Sequence, residues 1–358
     1  MAGRSMSAFD VDAAATHVAT EPPEARGLKR DEVRLMVSHG DARIEHLRFH
    51  QLPGVLDRGD LLVVNTSATL KAALPARRTF GTRVDLHLST RLPGGLWTVE
   101  VRQSDLSGSK PLRLGLAGEV LRLPSGGRAS LLAPYPFAGD LFARSRLWTA
   151  ALELPAPLDR YLDEHGRPIR YSYVPRPWPL SYYQTVFATE PGSAEMPSAG
   201  RPFTSHLLAA LRSAGVAIAP VVLHTGVSSL EDHEPPYEER FRVPAATASL
   251  VNDTRTAGHR VIAVGTTVVR ALESVTGPDG IVHPGEGWTD LVLSGDRPLR
   301  AVHGLITGLH EPNGTHLSIV RAAAGAEADR LVTRAYVEAE SLGYLLHEFG
   351  DSHLILPR

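Results

Sequence analysis

Between about residue 70 and residue 150 the chain never sustains a helical period for more than two turns, and no other stretch constrains the fold as much. It offers short alternating runs, Arg83–Leu88, Leu96–Val101, Glu119–Leu123 and Arg128–Leu132, parted by Gly, Pro and Ser. A period of two punctuated by turn residues is how a small β-barrel or sandwich reads. On either side the texture is α/β. Upstream, Val33–Val37, Arg43–Phe49 and Asp60–Asn65 read as strands. Downstream, Thr204 can cap a helix with Leu207, Leu208, Leu211 and Ala214 on one face and Gly215 at its end. Then come a buried strand at Val216–Leu223, a helix at Ala245–Ala257, a strand at Arg260–Val264 and a helix at Val268–Val275. Leu291–Ser294 and Leu305–Thr307 read as short strands, Ala323–Ser341 as one long helix and His353–Leu356 as a closing strand. Strands alternating with helices imply a largely parallel sheet. The expected fold class is therefore α/β: a largely parallel sheet domain, made by residues 28–69 and 151–358, with a small β-barrel domain inserted at 70–150. Residues 1–27 read as a flexible leader, and the Pro- and aromatic-rich passage 155–181 as a linker or lid.

The 358 residues suit two domains, and 43% hydrophobic with 21% charged residues is the balance of a soluble globular protein. No apolar run approaches the ~18 residues of a membrane span, and the first 30 residues lack the apolar core of a secretory signal. Cysteine is absent, which removes disulfides, thiolate metal sites and cysteine nucleophiles and points to the cytoplasm. None of the 16 histidines sits in an HxH or HExxH arrangement, so no metal is expected. The net charge of −2 advertises no global attraction to nucleic acid, although 34 of the 37 basic residues are arginine.

The best local signal for chemistry is VIAVGTTVVRALE, residues 261–273. A strand ending in Gly265 lets backbone approach a ligand, and Thr266 and Thr267 at the following helix N-terminus offer hydroxyls beside unpaired N–H groups. Arg270 and Glu273, three apart, can bind a carboxylate or pair with each other. His224 and His310 each follow a strand, at the sheet edge where ligands bind in α/β folds. Asp290, Asp351 and the run Tyr183-Gln184-Thr185 are further polar groups at element ends. Each of these also has a plain structural reading, as a helix junction, a satisfied histidine or a surface ion pair.

These residues fall in a register that resembles the S-adenosylmethionine:tRNA ribosyltransferase-isomerase family of queuosine biosynthesis. The likeness runs from about Glu21 to the end. It includes Gly59–Asn65 (GDLLVVN), Tyr183–Ala188 (YQTVFA), Pro197-Ser198-Ala199-Gly200 with Phe203-Thr204, Leu223–Gly226, Arg260–Ser274 (RVIAVGTTVVRALES), Thr289-Asp290, Leu305–Thr307, His310 and Gly350-Asp351. The resemblance implies an α/β domain with an inserted barrel. It implies transfer and isomerisation of the ribosyl part of S-adenosylmethionine onto a 7-aminomethyl-7-deazaguanine in tRNA, giving epoxyqueuosine, with adenine and methionine released and no cofactor beyond that co-substrate. It assigns Gly265, Thr266, Thr267, Arg270, Glu273, Tyr183, Gln184, Thr185, Ser198 and Gly200 to binding, and His224, His310, Asp290 and Asp351 to acid–base work.

Several blocks depart from the family pattern. ITNFHLPKSTLL reads here as residues 306–317, with Glu311, Asn313 and Gly314 in place of its Leu, Lys and Ser. EHxMHxE becomes a segment with Glu234 and Tyr237 in place of both histidines, keeping Glu239. PTAGLHF loses its histidine to Pro202, and NDT becomes Asn65-Thr66-Ser67. The GTT segment is intact, while the altered blocks together lose a lysine, three histidines and, at NDT, an aspartate, a pattern that keeps the donor and leaves the acceptor open. The acceptor is either the modified tRNA or, in a divergent paralogue, a small molecule; a non-catalytic nucleotide- or RNA-binding protein is the third reading. Acidic Glu231, Asp232, Glu234, Glu238 and Glu239 predict weak tRNA binding, unless the arginines gather into one basic face. The assembly is expected to be a monomer or homodimer, with no membrane partner.

Overall fold

The computed structural model describes residues 17–356, apart from 106–107, 114, 138, 142–144, 229–236, 294–298, 311–314 and 326–327. The chain begins with strands β1 (Arg34–His39), β2 (Ile44–Arg48), β3 (Leu61–Asn65) and β4 (Ser67–Thr69). It then makes seven consecutive strands, β5 (Ala73–Arg77), β6 (Arg83–Arg91), β7 (Trp97–Asp105), β8 (Gly108–Pro111), β9 (Val120–Arg122), β10 (Arg128–Tyr135) and β11 (Leu147–Glu153). Helix α1 (Leu158–His165) leads back to β12 (Glu190–Ser193), α2 (Ser205–Ser213), β13 (Ala217–Leu223), β14 (Glu239–Val243), α3 (Ala245–Thr256), β15 (Val261–Val264) and α4 (Thr266–Ser274). The chain closes with β16 (Gly285–Thr289), β17 (Gly304–Gly308), α5 (Thr315–Ala324), α6 (Ala328–Ser341) and β18 (Ser352–Leu356).

Nine strands form the large sheet in the order β16-β14-β13-β3-β15-β17-β18-β1-β2. The central β13-β3-β15-β17 run is parallel, as is β18–β1. The margins β1–β2, β13–β14 and β14–β16, and the β17–β18 pair, are antiparallel, so the sheet is mixed and parallel only where the alternation of strands and helices had suggested it. Both faces are covered, which is why DLLVVN and VIAV read as unbroken apolar runs. Leu61, Val63, Val261, Ala263 and Leu305 pack under α4, α5 and α6, and Leu62, Val64, Ile262, Val264 and Ile306 pack against α2 and the Phe49–Gly54 turn.

Strands β11-β10-β9-β5-β6-β7 pair antiparallel in sequence, and β11 pairs back onto β7 to close a six-stranded barrel, with β8 appended to β7. Its interior is filled by Leu74, Leu86, Leu88, Val99, Leu131 and Trp148, and α1 adds Tyr161 and Leu162. Entry and exit meet in a neck: Ala73 and Arg167 exchange both backbone bonds, at 2.9 and 3.0 Å. A Cβ on Gly166 would lie 2.2 Å from the Lys71 carbonyl, so only glycine fits there.

Four expectations are corrected. The leader is packed from His17 onward: Val18 bridges to Leu346, Ala19 is buried, and Glu24 pairs with nearby Arg30 and with Arg201, which is distant in sequence. The passage 155–181 holds helix α1 rather than linker alone. The long C-terminal helix is two, α5 and α6, parted at Gly325, whose φ of 72° breaks the helical path. Residues 291–293 carry no strand; the strand is β16, whose GEGWT sequence shows no apolar alternation. Among the described residues, no helix is long and apolar enough to cross a membrane.

At the end of β3 one amide fixes the geometry that matters for the site. Asn65 Nδ2 donates to the Leu223 carbonyl at 2.8 Å and to Thr267 Oγ1 at 3.3 Å, while its Oδ1 accepts from Leu223 N at 3.0 Å and Ser67 N at 3.1 Å. Asn65 is buried, so Asn65→Ala strands two backbone groups of Leu223 without water. Each buried group left unpaired costs about 1–3 kcal/mol, and the variant should lower stability by on the order of 2–4 kcal/mol in urea unfolding. An unchanged midpoint would contradict this account of the strand ends.

Candidate active site

The C-terminal ends of β13, β15 and β17 open on a cleft of about 880 Å³, within the range of small-molecule sites. Its floor is Gly265, Thr266, Thr267 and Thr307; its walls are Ser89 of the barrel, Tyr171 and Tyr173, the turn Thr225–Ser228, and His347 with Glu348. Strand C-termini and a helix N-terminus meeting at one crevice is the ligand edge of an α/β sheet.

Gly265 leads into α4 at φ 100°, a conformation that favours glycine, and provides no side-chain cap. The first N–H groups of α4 therefore start at the cleft without a capping side chain, beside the hydroxyls of Thr266 and Thr267. Tyr183, Ser198, Arg270 and His310 also line the cleft. Arg270 is nevertheless engaged. It forms a salt bridge with Glu239 and donates to the Thr289 carbonyl at 3.0 Å and the Leu291 carbonyl at 3.2 Å. The Tyr183 hydroxyl is buried with no hydrogen-bond partner among the described residues, and burial pushes its pKa up.

The remaining sequence candidates stand elsewhere. Glu273 does not pair with Arg270; it is buried and accepts from the backbone N–H groups of Arg300 at 2.7 Å and Ala301 at 2.8 Å. Asp351 accepts from Arg34 N at 2.7 Å, Arg34 Nε at 2.9 Å and Leu345 N at 2.9 Å, tying β1 to the start of β18 rather than serving the cleft. Asp290 is exposed, because β16 ends at buried Thr289 and the next residue turns outward. Gln184 pairs through both amide atoms with the backbone of Thr69, Thr185 Oγ1 accepts from Phe187 N, and Gly200 packs on Phe187 and Thr185. His224 precedes cleft-lining Thr225 but does not itself line the cleft. Its Nδ1 meets Ser67 Oγ at 2.7 Å, its Nε2 lies 3.7 Å from Glu190, and burial lowers its pKa. Glu311, Asn313, Gly314, Glu231, Asp232 and Glu234 lie outside the described residues.

The cleft also holds ionisable groups that sequence reasoning passed over. Glu195 accepts from the Tyr171 hydroxyl and from Ser228 N at 2.7 Å. Burial pushes its pKa up to about 7, the hydrogen bonds from Ser228 and Tyr171 opposing the rise and the Glu348 charge adding to it. Glu348 accepts from the Tyr173 hydroxyl at 2.6 Å and is raised by burial too. His316 meets Thr307 Oγ1 at 3.0 Å, and burial pushes its pKa down to about 4, so it is neutral at neutral pH. The rings of His310 and His316 lie 4.1 Å apart, and Tyr173 stacks on His347 at 4.3 Å. One of these had a signal in the sequence: His316 stands where the block ITNFHLPKSTLL has leucine. Among the described residues no three His, Asp or Glu side chains converge as a metal site requires.

The similarity to known proteins extends over the whole chain. A family model described as queuosine biosynthesis protein matches residues 6–355. The S-adenosylmethionine:tRNA ribosyltransferase-isomerase of Moorella thermoacetica is 35% identical over 97% of this chain and 98% of its own. Those of Thermotoga maritima and Thermus thermophilus are each 34% identical over 98% of this chain and 99% of theirs. The 2.00 Å crystal structure of S-adenosylmethionine tRNA ribosyltransferase from Thermotoga maritima matches with a TM-score of 0.50 and 31% identity, covering 95% of this chain and 96% of that one.

A carboxyl raised in the folded state stabilises least where it must ionise. Relative to Glu195→Gln, the wild type should lose stability as pH rises from the ordinary value of 4.5 through about 7, and level off above. Unfolding midpoints of both proteins across that window check this; parallel curves would show that the Glu195 carboxyl is not shifted.

Proposed function

The chain belongs to the queuosine biosynthesis protein family, and from that premise we propose that it is an S-adenosylmethionine:tRNA ribosyltransferase-isomerase working in the cleft at the Gly265-Thr266-Thr267 junction. It moves the ribosyl part of S-adenosylmethionine onto a 7-aminomethyl-7-deazaguanine in tRNA and releases adenine and methionine. The names of the relatives support a tRNA acceptor over a small molecule, and with tRNA as substrate the cytoplasm is where it works.

The observation that carries this reading is a carboxyl poised near neutrality in the same cleft as an uncapped helix N-terminus. The sulfonium of the donor acidifies its neighbouring 5′-carbon, so a base titrating near pH 7 is what the first proton transfer calls for. Glu195 has that character, and the Tyr171 hydroxyl and Ser228 N–H hold it in place. The donor carboxylate goes to the start of α4, where the helix dipole favours an anion by roughly 0.3–1 kcal/mol. Arg270, already satisfied by Glu239 and two carbonyls, shapes that end of the cleft instead of gripping the ligand. The stacked Tyr173 and His347 offer a planar surface for a purine ring. His310 faces the space between, next to a histidine that stays neutral, and assists departure of adenine.

Incubation with S-adenosylmethionine and deazaguanine-bearing tRNA should release free adenine and methionine. His310→Asn should lower kcat by about 10²–10⁴ with the fold intact, the usual worth of a positioned acid–base group. Full turnover in that variant removes His310 from the chemistry, and no adenine from the wild type with tRNA present removes the proposed reaction.

A further inference from the structure

Four arginines stand directly opposite one another across four adjacent barrel strands. Arg83 of β6 faces Arg77 of β5, Arg77 faces Arg122 of β9, and Arg122 faces Arg128 of β10. All four are exposed, and none is in an ion pair among the described residues; Arg77 makes one long bond, 3.4 Å, to the Gly81 carbonyl. Like charges directly opposite on a sheet destabilise it, so folding alone does not favour this row. Arg77, Arg83 and Arg122 also line a shallow hollow of about 640 Å³.

Two further features adjoin the row. Phe80, at the tip of the β5–β6 turn between Arg77 and Arg83, is 98% exposed. The barrel segment 73–153 carries eleven basic and six acidic side chains, whereas the whole chain is net −2. The barrel is therefore net positive in a chain that is not, the counter-case to weak nucleic-acid binding. Nor do all the acidic residues repel: Glu239 is neutralised by Arg270.

The row and the cleft lie at opposite ends of β6. Along β6, Val84, Leu86 and Leu88 fill the barrel, Asp85 and His87 on the other face are buried as well, with Asp85 in a salt bridge to Arg167, and Arg83 at the strand's start is exposed. Ser89 Oγ, farther along the strand, accepts from Val227 N at 3.0 Å and lines the cleft. From Ser89 to Arg83 is about 20 Å at roughly 3.3 Å per residue. A folded RNA longer than that span can place one nucleotide in the cleft and another part of its backbone on the arginines.

We infer that the Arg83-Arg77-Arg122-Arg128 row, with Phe80 at its edge, is the surface on which this protein holds the sugar–phosphate backbone of its RNA substrate, distant from the reacting base. This rests on the tRNA reading above. Guanidinium forks bind phosphate oxygens, and an exposed aromatic ring stacks an unpaired base. A membrane surface would also attract the charge, but the reaction proposed above already supplies an RNA chain as the polyanion this protein meets.

The test uses the full protein, deazaguanine-bearing tRNA and anisotropy titrations at two salt concentrations. Arg77→Gln with Arg122→Gln should weaken tRNA binding at least tenfold and flatten the salt slope by about one for each phosphate contact removed. The KM for tRNA should rise while kcat at saturation holds, and the unfolding midpoint should stay level or rise as like charge is removed. Phe80→Ala should cost about tenfold in affinity without changing the slope. Should the double variant fold poorly, Arg83→Gln with Arg128→Gln reads the same row from its ends. Wild-type affinity and slope in a folded pair, with the wild type turning over tRNA, overturn the inference. Loss of binding in the variants with no adenine from the wild type overturns the reaction and leaves the surface standing. Variants that lose only anionic phosphatidylserine vesicles and keep tRNA assign the row to a lipid surface and overturn it.

Discussion

The cleft depends on the buried amide of Asn65. It ends β3 at the centre of the sheet, and its four hydrogen bonds reach the end of β13, the start of β4 and the first turn of α4. A carboxylate in the same place could not donate to the Leu223 carbonyl, and a hydrophobic residue could do neither job. With that side chain in place, the turn carrying Thr225 and the junction carrying Thr266 are held to one geometry, and the cleft between them keeps its shape. The walls are hung on this frame by long-range pairs such as Arg34–Asp351 and Arg201–Glu24.

The junction at Gly265 was legible because everything that makes it is local: an apolar strand, a glycine at positive φ and a following helix with an apolar face. The barrel was legible from the absence of a helical period. Strand β16 was not, since Gly285-Glu286-Gly287-Trp288-Thr289 acquires its strand character only by pairing with β14. The split between α5 and α6 was missed because the apolar pattern carries on past Gly325, while the backbone does not.

Site residues divide along the same line. His310, Thr266 and Ser198 reach the cleft because a short path from a strand or helix end leads there. Asp351 and Glu273 looked the same in sequence, but their partners decide otherwise: Arg34 stands 317 positions from Asp351, and the acceptor role of Glu273 is set by the backbone of a distant loop. Glu195 and Glu348 were invisible for the opposite reason. Nothing in Ser193-Ala194-Glu195 or His347-Glu348 announces a carboxyl with a raised pKa; that property comes from being sunk beside two tyrosines and each other.

The neck where Ala73 and Arg167 exchange backbone bonds has a consequence for how such a chain is assembled over evolutionary time. The two points at which the barrel joins its host nearly touch, so adding or removing the whole module leaves the span the host must bridge almost unchanged. The sheet does not use the barrel to set its strand order: β3 pairs directly with β13 across the insertion. The architecture is that of a graft. A sheet protein could accept a ready-made barrel at this stem and gain both a wall for its crevice, at Ser89, and a second surface, with Gly166 as a position where the join tolerates no side chain.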